Sequence, residues 1–308
     1  MSRSSESDLG GVSGLSVVVP SVNRFETLSR TLAALEAQEG GVALEVVVPE
    51  RTGATTRSQV RRRFPRAIVI PVEPGTPIPA MRRLAFKASS APVVAVIEDH
   101  VIVPPDWAAR LRGAVSEEQP IVGGWVRNAA TDRLIDRAAY LCEYGHMLSP
   151  LPSGPAEWLT GNNVAYHRSV LQRFGDVIDE DRWENRLHDA AREAGVPLQR
   201  RTDIEVGHAM HYQSAVEYAA QRFLYSRAYA GMRLAGVGRA RSLIYGLAAM
   251  ALPPILLARI VKNGLGMPEA RADLAKSLPM LSLFVVAWAL GEVVGAWVGP
   301  GDALGRVR

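Results

Sequence analysis

Along the first third of the chain, short apolar runs alternate with segments of helical period. Residues 15–20 (LSVVVP), 43–49 (ALEVVVP), 67–71 (AIVIP) and 92–97 (PVVAVI) are near-continuous apolar runs, the pattern of strands buried on both faces of a parallel sheet. Between them, residues 24–39 carry Leu28, Thr31, Leu32 and Leu35 on one helical face, residues 58–64 read as a basic helix and residues 79–89 as a third helix. Strands joined by crossover helices predict an open α/β sheet whose ligand site lies at the carboxyl ends of the strands. A helix follows from Trp107 to about residue 116. The mixed region 121–206 then holds a Gly161-Asn162-Asn163 turn and a helix over 182–194.

The pattern changes near Tyr212. Residues 214–233 form an amphipathic, basic helix; residues 242–258 carry no charge, and residues 277–299 are apolar except for Glu292. A spanning helix needs about 20 apolar residues, so both stretches are of borderline length, and a pair of buried helices in a soluble domain is the alternative. Two apolar helices appended to a chain whose core is already supplied have little left to pack on, which favours membrane contact by a spanning or a monotopic hairpin. Pro253-Pro254 predicts a kink in the first stretch, and Glu292 needs a partner or an interfacial position. Arg227, Arg233, Arg239 and Arg241 before the pair, with Arg306 and Arg308 after it, point to both flanks on the cytoplasmic side of the cell membrane; Lys262, Arg271 and Lys276 in the connection weigh against this. The expected organisation is a flexible tail over 1–14, an α/β domain over 15–212, a basic amphipathic helix region over 213–241 and a membrane-associated helical hairpin over 242–308.

Composition narrows the class. With 308 residues, 48% hydrophobic and 21% charged, disordered and disulfide-scaffold classes are excluded. The single cysteine, Cys142, leaves no internal disulfide and no four-cysteine metal site, so a metal must use oxygen or histidine ligands. The first fourteen residues are polar without an apolar core, so no secretory signal is expected there. A net charge of +4 permits anionic partners without choosing among them. The run Arg61-Arg62-Arg63-Phe64-Pro65-Arg66 has no aromatic platform beside it and reads as a solvated helix end, not as a nucleic-acid site.

Glu98-Asp99-His100 stands at the end of the fourth apolar run. Three consecutive ionisable side chains cannot all be packing residues, because an unpaired buried charge costs several kcal/mol. In extended chain Glu98 and His100 point to one side and Asp99 to the other. Carboxylate and imidazole together suit Mn²⁺ or Mg²⁺ with substrate phosphates completing the shell; an exposed acidic turn is the plainer alternative.

Over residues 15–208 the chain resembles the family-2 glycosyltransferases of the GT-A fold. Their Pro-Thr-Tyr-Asn-Arg stretch after the first strand is matched by Pro20-Ser21-Val22-Asn23-Arg24, and the Asp ending their second strand by Glu50. Met81-Arg82-Arg83 stands for their Ala-Arg-Asn segment, and Glu98-Asp99-His100 for Asp-x-Asp, followed by the usual Pro-Asp-Trp. Thr160-Gly161-Asn162-Asn163 resembles the acceptor-side turn, Trp183-Glu184 the Glu-Asp motif, Val206-Gly207-His208 the Val-x-His, and Gln221-Arg222-x-x-Tyr225-x-Arg227 the basic helix that follows. The chain departs from the family in the longer Glu50, in Arg51-Thr52-Gly53 and in His100, which replaces a carboxylate.

The resemblance implies a GT-A domain of Rossmann-like α/β type and an inverting transfer from a nucleotide-diphosphate sugar to a lipid-linked or envelope glycan acceptor. It assigns Glu184 as base and Asp99, His100 and His208 as ligands of a divalent cation. Pro20, Ser21, Asn23, Glu50, Arg82, Glu98, Asp99, Arg222, Tyr225 and Arg227 become donor contacts, and Trp158, Gly161, Asn162 and Asn163 acceptor contacts. Asp181 is the reserve base, His211 competes with His208, and His146, His167 and His188 are read as structural or surface groups. Glu184 has a plainer reading as a helix-surface carboxylate paired with Arg186 or Arg192. A second function stays open: a catalytically silent GT-A module that binds a nucleotide sugar or a partner.

Overall fold

The computed structural model describes residues 14–145 and 151–308; most of the expected N-terminal tail and His146 lie outside the described residues. The first four apolar runs are β1 (Leu15–Val18), β2 (Leu44–Glu50), β3 (Ile68–Pro71) and β4 (Val93–Ile97), parallel in the order β3-β2-β1-β4. They are linked by α1 (Phe25–Glu36), α2 (Ala54–Arg63) and α3 (Ile78–Ala88). Helix α2 starts four residues before the expected 58, at Ala54 just after Gly53, whose φ of 130° no other residue type favours.

The region whose periodicity was mixed turns the sheet antiparallel. After β5 (Val101–Ile102) and α4 (Trp107–Ala114) come β6 (Ile121–Asn128), α5 (Leu134–Tyr144), β7 (Gly154–Pro155), β8 (Asn163–His167), α6 (Arg168–Arg173), α7 (Gly175–Asp179), α8 (Glu184–Glu193) and β9 (Leu198–His208). β8 runs antiparallel to β4 and β6, β9 joins β6 in parallel, and β5 closes the far edge against β9 in a nine-stranded sheet. The core has two sides, as alternation along a strand requires. Val17 and Ala95 face Leu28, Leu32 and Trp107, while Val18, Val94 and Val96 face Ala85 and Leu187.

The C-terminal part consists of α9 (Ala215–Arg233), α10 (Arg239–Ala249), α11 (Leu252–Leu265), α12 (Pro268–Val298) and α13 (Ala303–Arg306). α10 and α11 meet at 51°, the bend lying immediately before Pro253-Pro254. Among the described residues α12 alone is long and apolar enough by itself to cross a bilayer, with mean hydropathy 1.9 over its apolar window. Half of that window is buried. α12 lies along α9 and α5, so close to α9 that a Cβ at Gly291 would stand 2.4 Å from the Phe223 carbonyl oxygen. Glu292 has the partners its position demanded: Arg233 at 2.9 Å and the Tyr245 hydroxyl at 2.8 Å. α9, together with α5 of the α/β domain, thus supplies a surface for α12 that the sequence did not assign to it.

Candidate active site

β4 ends at Ile97, and the chain then turns instead of continuing extended, the Val101 N–H donating to the Glu98 carbonyl at 3.1 Å. Asp99 turns inward with no exposed surface, and its carboxylate accepts the Val22 and Asn23 backbone N–H groups at 2.7 Å each and Asn23 Nδ2 at 2.8 Å. Both oxygens hold the β1–α1 loop, and Oδ1 also meets His100 Nδ1 at 3.1 Å. The other ring nitrogen of His100 is turned to Glu98. His100 Nε2 stands 3.2 Å from Glu98 Oε2 and 3.0 Å from His208 Nε2, which β9 brings alongside by pairing His208 with Val101. One ligand atom from each of Glu98, His100 and His208 lies within 4.8 Å of the others. Asp99 was expected beside His100 and His208 at the ion; its carboxylate is engaged by backbone donors, and Glu98 offers the third converging ligand atom.

This cluster is electrostatically tense. Burial lowers the His100 pKa, but hydrogen bonds to the Asp99 and Glu98 carboxylates outweigh it and push it up to about 10. Burial and the neighbouring His100 cation bring His208 down to about 3. Burial also opposes the charge on Glu98, yet the hydrogen bond and charge of His100 hold its carboxyl at about 2. An imidazolium thus sits between two carboxylates with a neutral imidazole nitrogen facing it. Beside them the Asn162 side-chain oxygen is buried without a hydrogen-bond partner. Once His100 gives up its proton, the Glu98 carboxylate and two converging imidazole nitrogens form a donor set that fits a divalent ion such as Mn²⁺.

The turn before β8 ties this cluster to Glu184. Asn162 Nδ2 donates to Glu98 Oε2 at 3.1 Å and to the Tyr144 hydroxyl at 2.5 Å, while the Gly161 carbonyl accepts Arg82 Nη2 at 3.0 Å. Arg82 Nη1 in turn meets Glu184 Oε2 at 2.5 Å. Glu184 is the first residue of α8, where the helix dipole favours a carboxylate. Its carboxylate lies over Gly161, whose imagined Cβ would stand 2.3 Å from Glu184 Cδ, so a side chain there would push the carboxylate out of this position. The plainer partners proposed for Glu184 are taken: Arg186 pairs with Glu180 and Arg192 with Asp189. Asp181, the reserve base, accepts from Arg83 Nε at 2.6 Å and from Arg83 Nη2 at 3.1 Å, one bond on each oxygen. His211 pairs with Asp136 at 2.9 Å, leaving His208 at the cluster.

α9 closes one wall. Arg222, 5% exposed, lies 4.6 Å from the ring centres of both Tyr225 and Trp288 and 3.9 Å from Glu143, and its Nε has no partner. Tyr225 stacks on Trp183 at 5.0 Å, next to Glu184. Arg227 was expected among the donor contacts, but 222 and 225 share one helix face and 227 does not. It donates to the Gly299 carbonyl at 3.2 Å instead. Asn163 was expected among the acceptor contacts. Its amide donates to the Trp125 and Ile204 carbonyls and accepts from Trp107 Nε1, so it braces the sheet and offers nothing to an acceptor. Trp158 is partly buried and packed against the core.

The residues expected at the nucleotide lie at the β1 and β2 termini. Pro20 and Ser21 are buried, Asn23 is nearly so, and Ser21 Oγ has no hydrogen-bond partner. Glu50, expected to read a nucleobase, is wholly buried and accepts from Thr52, Gly53 and Arg57 of its own loop. Sequence reasoning missed Glu143, Tyr144 and Arg51. The first two end α5 in a Cys-Glu-Tyr run whose charged member in an apolar helix was the available signal. Tyr144 packs on His208 at 5.2 Å, and burial pushes the Glu143 carboxyl up.

A family model described as glycosyl transferase family 2 matches residues 16–175, just over half of the chain. Among solved structures, the mannosyltransferase PcManGT from Pyrobaculum calidifontis, in complex with GDP-Man and Mn²⁺, superposes with a TM-score of 0.56 at 16% identity, covering 91% of this chain and 86% of that one. TarS residues 1–349 from S. aureus align with a TM-score of 0.49 at 13% identity, over 91% and 90% of the two chains. No curated protein matches by sequence. The parallel β3-β2-β1-β4 half, the acidic turn at its carboxyl edge and the family match over that same half agree: the chain belongs to glycosyl transferase family 2 and is a glycosyltransferase of the GT-A fold.

Proposed function

We propose that the enzyme transfers a sugar, with inversion, from a nucleoside-diphosphate donor to a hydroxyl of a lipid-linked or envelope glycan acceptor at the cytoplasmic face of the cell membrane. The observation that carries this reading is the single turn, 161–162, that joins the Glu98–His100–His208 cluster to the Arg82–Glu184 pair. Glu98, His100 and His208 would hold Mn²⁺ or Mg²⁺, which when bound neutralises charge on the departing diphosphate. Glu184 accepts the proton of the acceptor hydroxyl; the hydroxyl oxygen bonds to the anomeric carbon as the carbon–phosphate-oxygen bond breaks and its electron pair leaves on the diphosphate. Arg82 fixes one oxygen of Glu184 and leaves the other for that proton. Arg222, buried with an unpartnered Nε, supplies a fixed positive charge towards the diphosphate. GDP-Man with Mn²⁺, bound by the mannosyltransferase of similar fold, is a donor of the proposed class.

Chelation tests this. Turnover of a panel of nucleotide sugars is expected to fall at least about 100-fold in EDTA and to return with Mn²⁺; turnover indifferent to chelator would remove the cluster from the mechanism. The membrane part rests on the outer faces of α10, α11 and α12, where Leu243, Ile244, Leu247, Ile255, Val286 and Leu290 are exposed close to Arg239, Arg241, Arg259 and Lys262. Because α12 is half buried on α9 and α5, the enzyme meets lipid through this face. In flotation with vesicles containing phosphatidylglycerol, the wild type is expected to rise with the lipid and the Leu247→Glu/Leu290→Glu variant to stay behind. A wild type that remains at the bottom contradicts the membrane assignment.

A further inference from the structure

The residues assigned to the nucleotide are covered by residues 303–308 of the same chain. Beyond α12 the chain passes Gly299, Pro300 and Gly301, with φ of 89° and 53° at the two glycines, and enters the short helix α13. Ala303 and Val307, 0% and 4% exposed, enter an apolar cluster with Ile78 and Trp183, against which Val22 and Tyr225 pack. Val22 lies between Ser21 and Asn23, and Trp183 adjoins Glu184. Arg51, directly after Glu50 and 7% exposed, donates one arm to the Thr76 carbonyl at 2.7 Å and the other to the Val307 carbonyl. The Arg308 N–H donates to Gln221 Oε1 at 3.0 Å, one residue before Arg222. These residues therefore fill the carboxyl edge of β1 and β2, between the β1–α1 loop, α3 and α9.

Resting on the reading of that edge as the nucleotide end, we propose that residues 303–308 are an autoinhibitory strap that competes with the nucleoside diphosphate and must swing out before the donor binds. Three features of the covered surface belong to a ligand site. Ser21 Oγ is buried and unpartnered beneath the covered loop. Arg51, a guanidinium beside a surface meant for phosphates or a base, spends an arm on a strap carbonyl that a donor oxygen would replace. The strap is anchored by few groups, the buried Ala303 and Val307 with a partly buried Leu304 beside them, and by no aromatic side chain of its own. The two left-handed glycines around Pro300 supply the hinge, and the Arg227 clamp on the Gly299 carbonyl marks where the moving part begins. A site masked by its own chain binds with an affinity reduced by the fraction of molecules in which the mask is displaced.

Two measurements on the full-length protein decide the matter, with UDP, GDP, ADP, CDP and dTDP in Mn²⁺ as probes. First, hydrogen exchange of the wild type is followed with and without the tightest-binding diphosphate. Amides of 303–308 are expected to lose protection when it binds; unchanged or increased protection overturns the strap, the increase identifying a lid that closes over the nucleotide. Second, Val307→Asp, and Ala303→Glu as an independent ejecting variant, are expected to bind the diphosphate about tenfold more tightly than the wild type, with far-UV circular dichroism unchanged. Measurable binding at equal or weaker affinity in both variants overturns the strap and leaves the nucleotide site standing. Binding of none of the diphosphates by wild type or variants overturns the nucleotide reading itself, and the strap with it.

Discussion

Glu184→Gln is expected to lower sugar transfer by about 10²- to 10⁴-fold, the usual contribution of a positioned general base, while donor affinity stays within about threefold of wild type. Glutamine has nearly the shape of glutamate, and its amide oxygen still accepts the Arg82 hydrogen bond that the carboxylate accepts at 2.5 Å. What it cannot do is take up a proton. The loss corresponds to about 3–5 kcal/mol of barrier, so it falls on kcat and not on KM for the donor. A thermal melt will also shift, because Arg82 is 6% exposed and loses its closest counter-charge. Initial rates with donor and acceptor saturating, beside donor titration by calorimetry, separate the two effects. A variant that retains rates within threefold of wild type would take the base away from Glu184. Asp181→Asn is the control: a carboxylate already gripped by both arms of Arg83 should be dispensable for rate.

The half of the fold made of parallel strands was legible because burial on both faces leaves uninterrupted apolar runs, and residues 15–20, 43–49, 67–71 and 92–97 each became a strand. The antiparallel half was not. β6 reads IVGGWVRN and carries a register shift between Gly124 and Trp125, which destroys the period by which a strand is recognised. The C-terminal helices were legible as apolar but not as packed. The groove that accepts α12 is built by α9 and α5, which come together only after folding. At the site, motif spacing placed Glu98, His100, His208, Arg82 and Glu184, and the structure brings them to one turn. Motif spacing says nothing of a side chain's direction. Asp99 and Asn163 point into the framework and Arg227 off the site face, none of which a residue's place in a motif reveals.

The adjacent carboxylates Glu98 and Asp99 therefore predict opposite phenotypes. Asp99→Ala is expected to cost about 3 kcal/mol or more of folding stability, because it strands two backbone N–H groups and the Asn23 amide in a place with no access to water. His100 loses one of its two carboxylates as well. Glu98→Ala should be far gentler on the fold. Its side chain is 32% exposed, and its neutral partner Asn162 keeps the Tyr144 hydroxyl. Yet Glu98→Ala removes one of the three converging ligand atoms and is expected to weaken Mn²⁺ binding by about 100-fold or more, since even losing a group behind a ligand costs 10- to 100-fold. Urea unfolding and Mn²⁺ titration of both variants give the comparison. If Asp99→Ala unfolds at the wild-type urea midpoint and loses Mn²⁺, while Glu98→Ala keeps it, then the loop-shaping and ion-holding roles belong the other way round. The converging geometry of Glu98, His100 and His208 would then describe an imidazolium cluster and not a metal site.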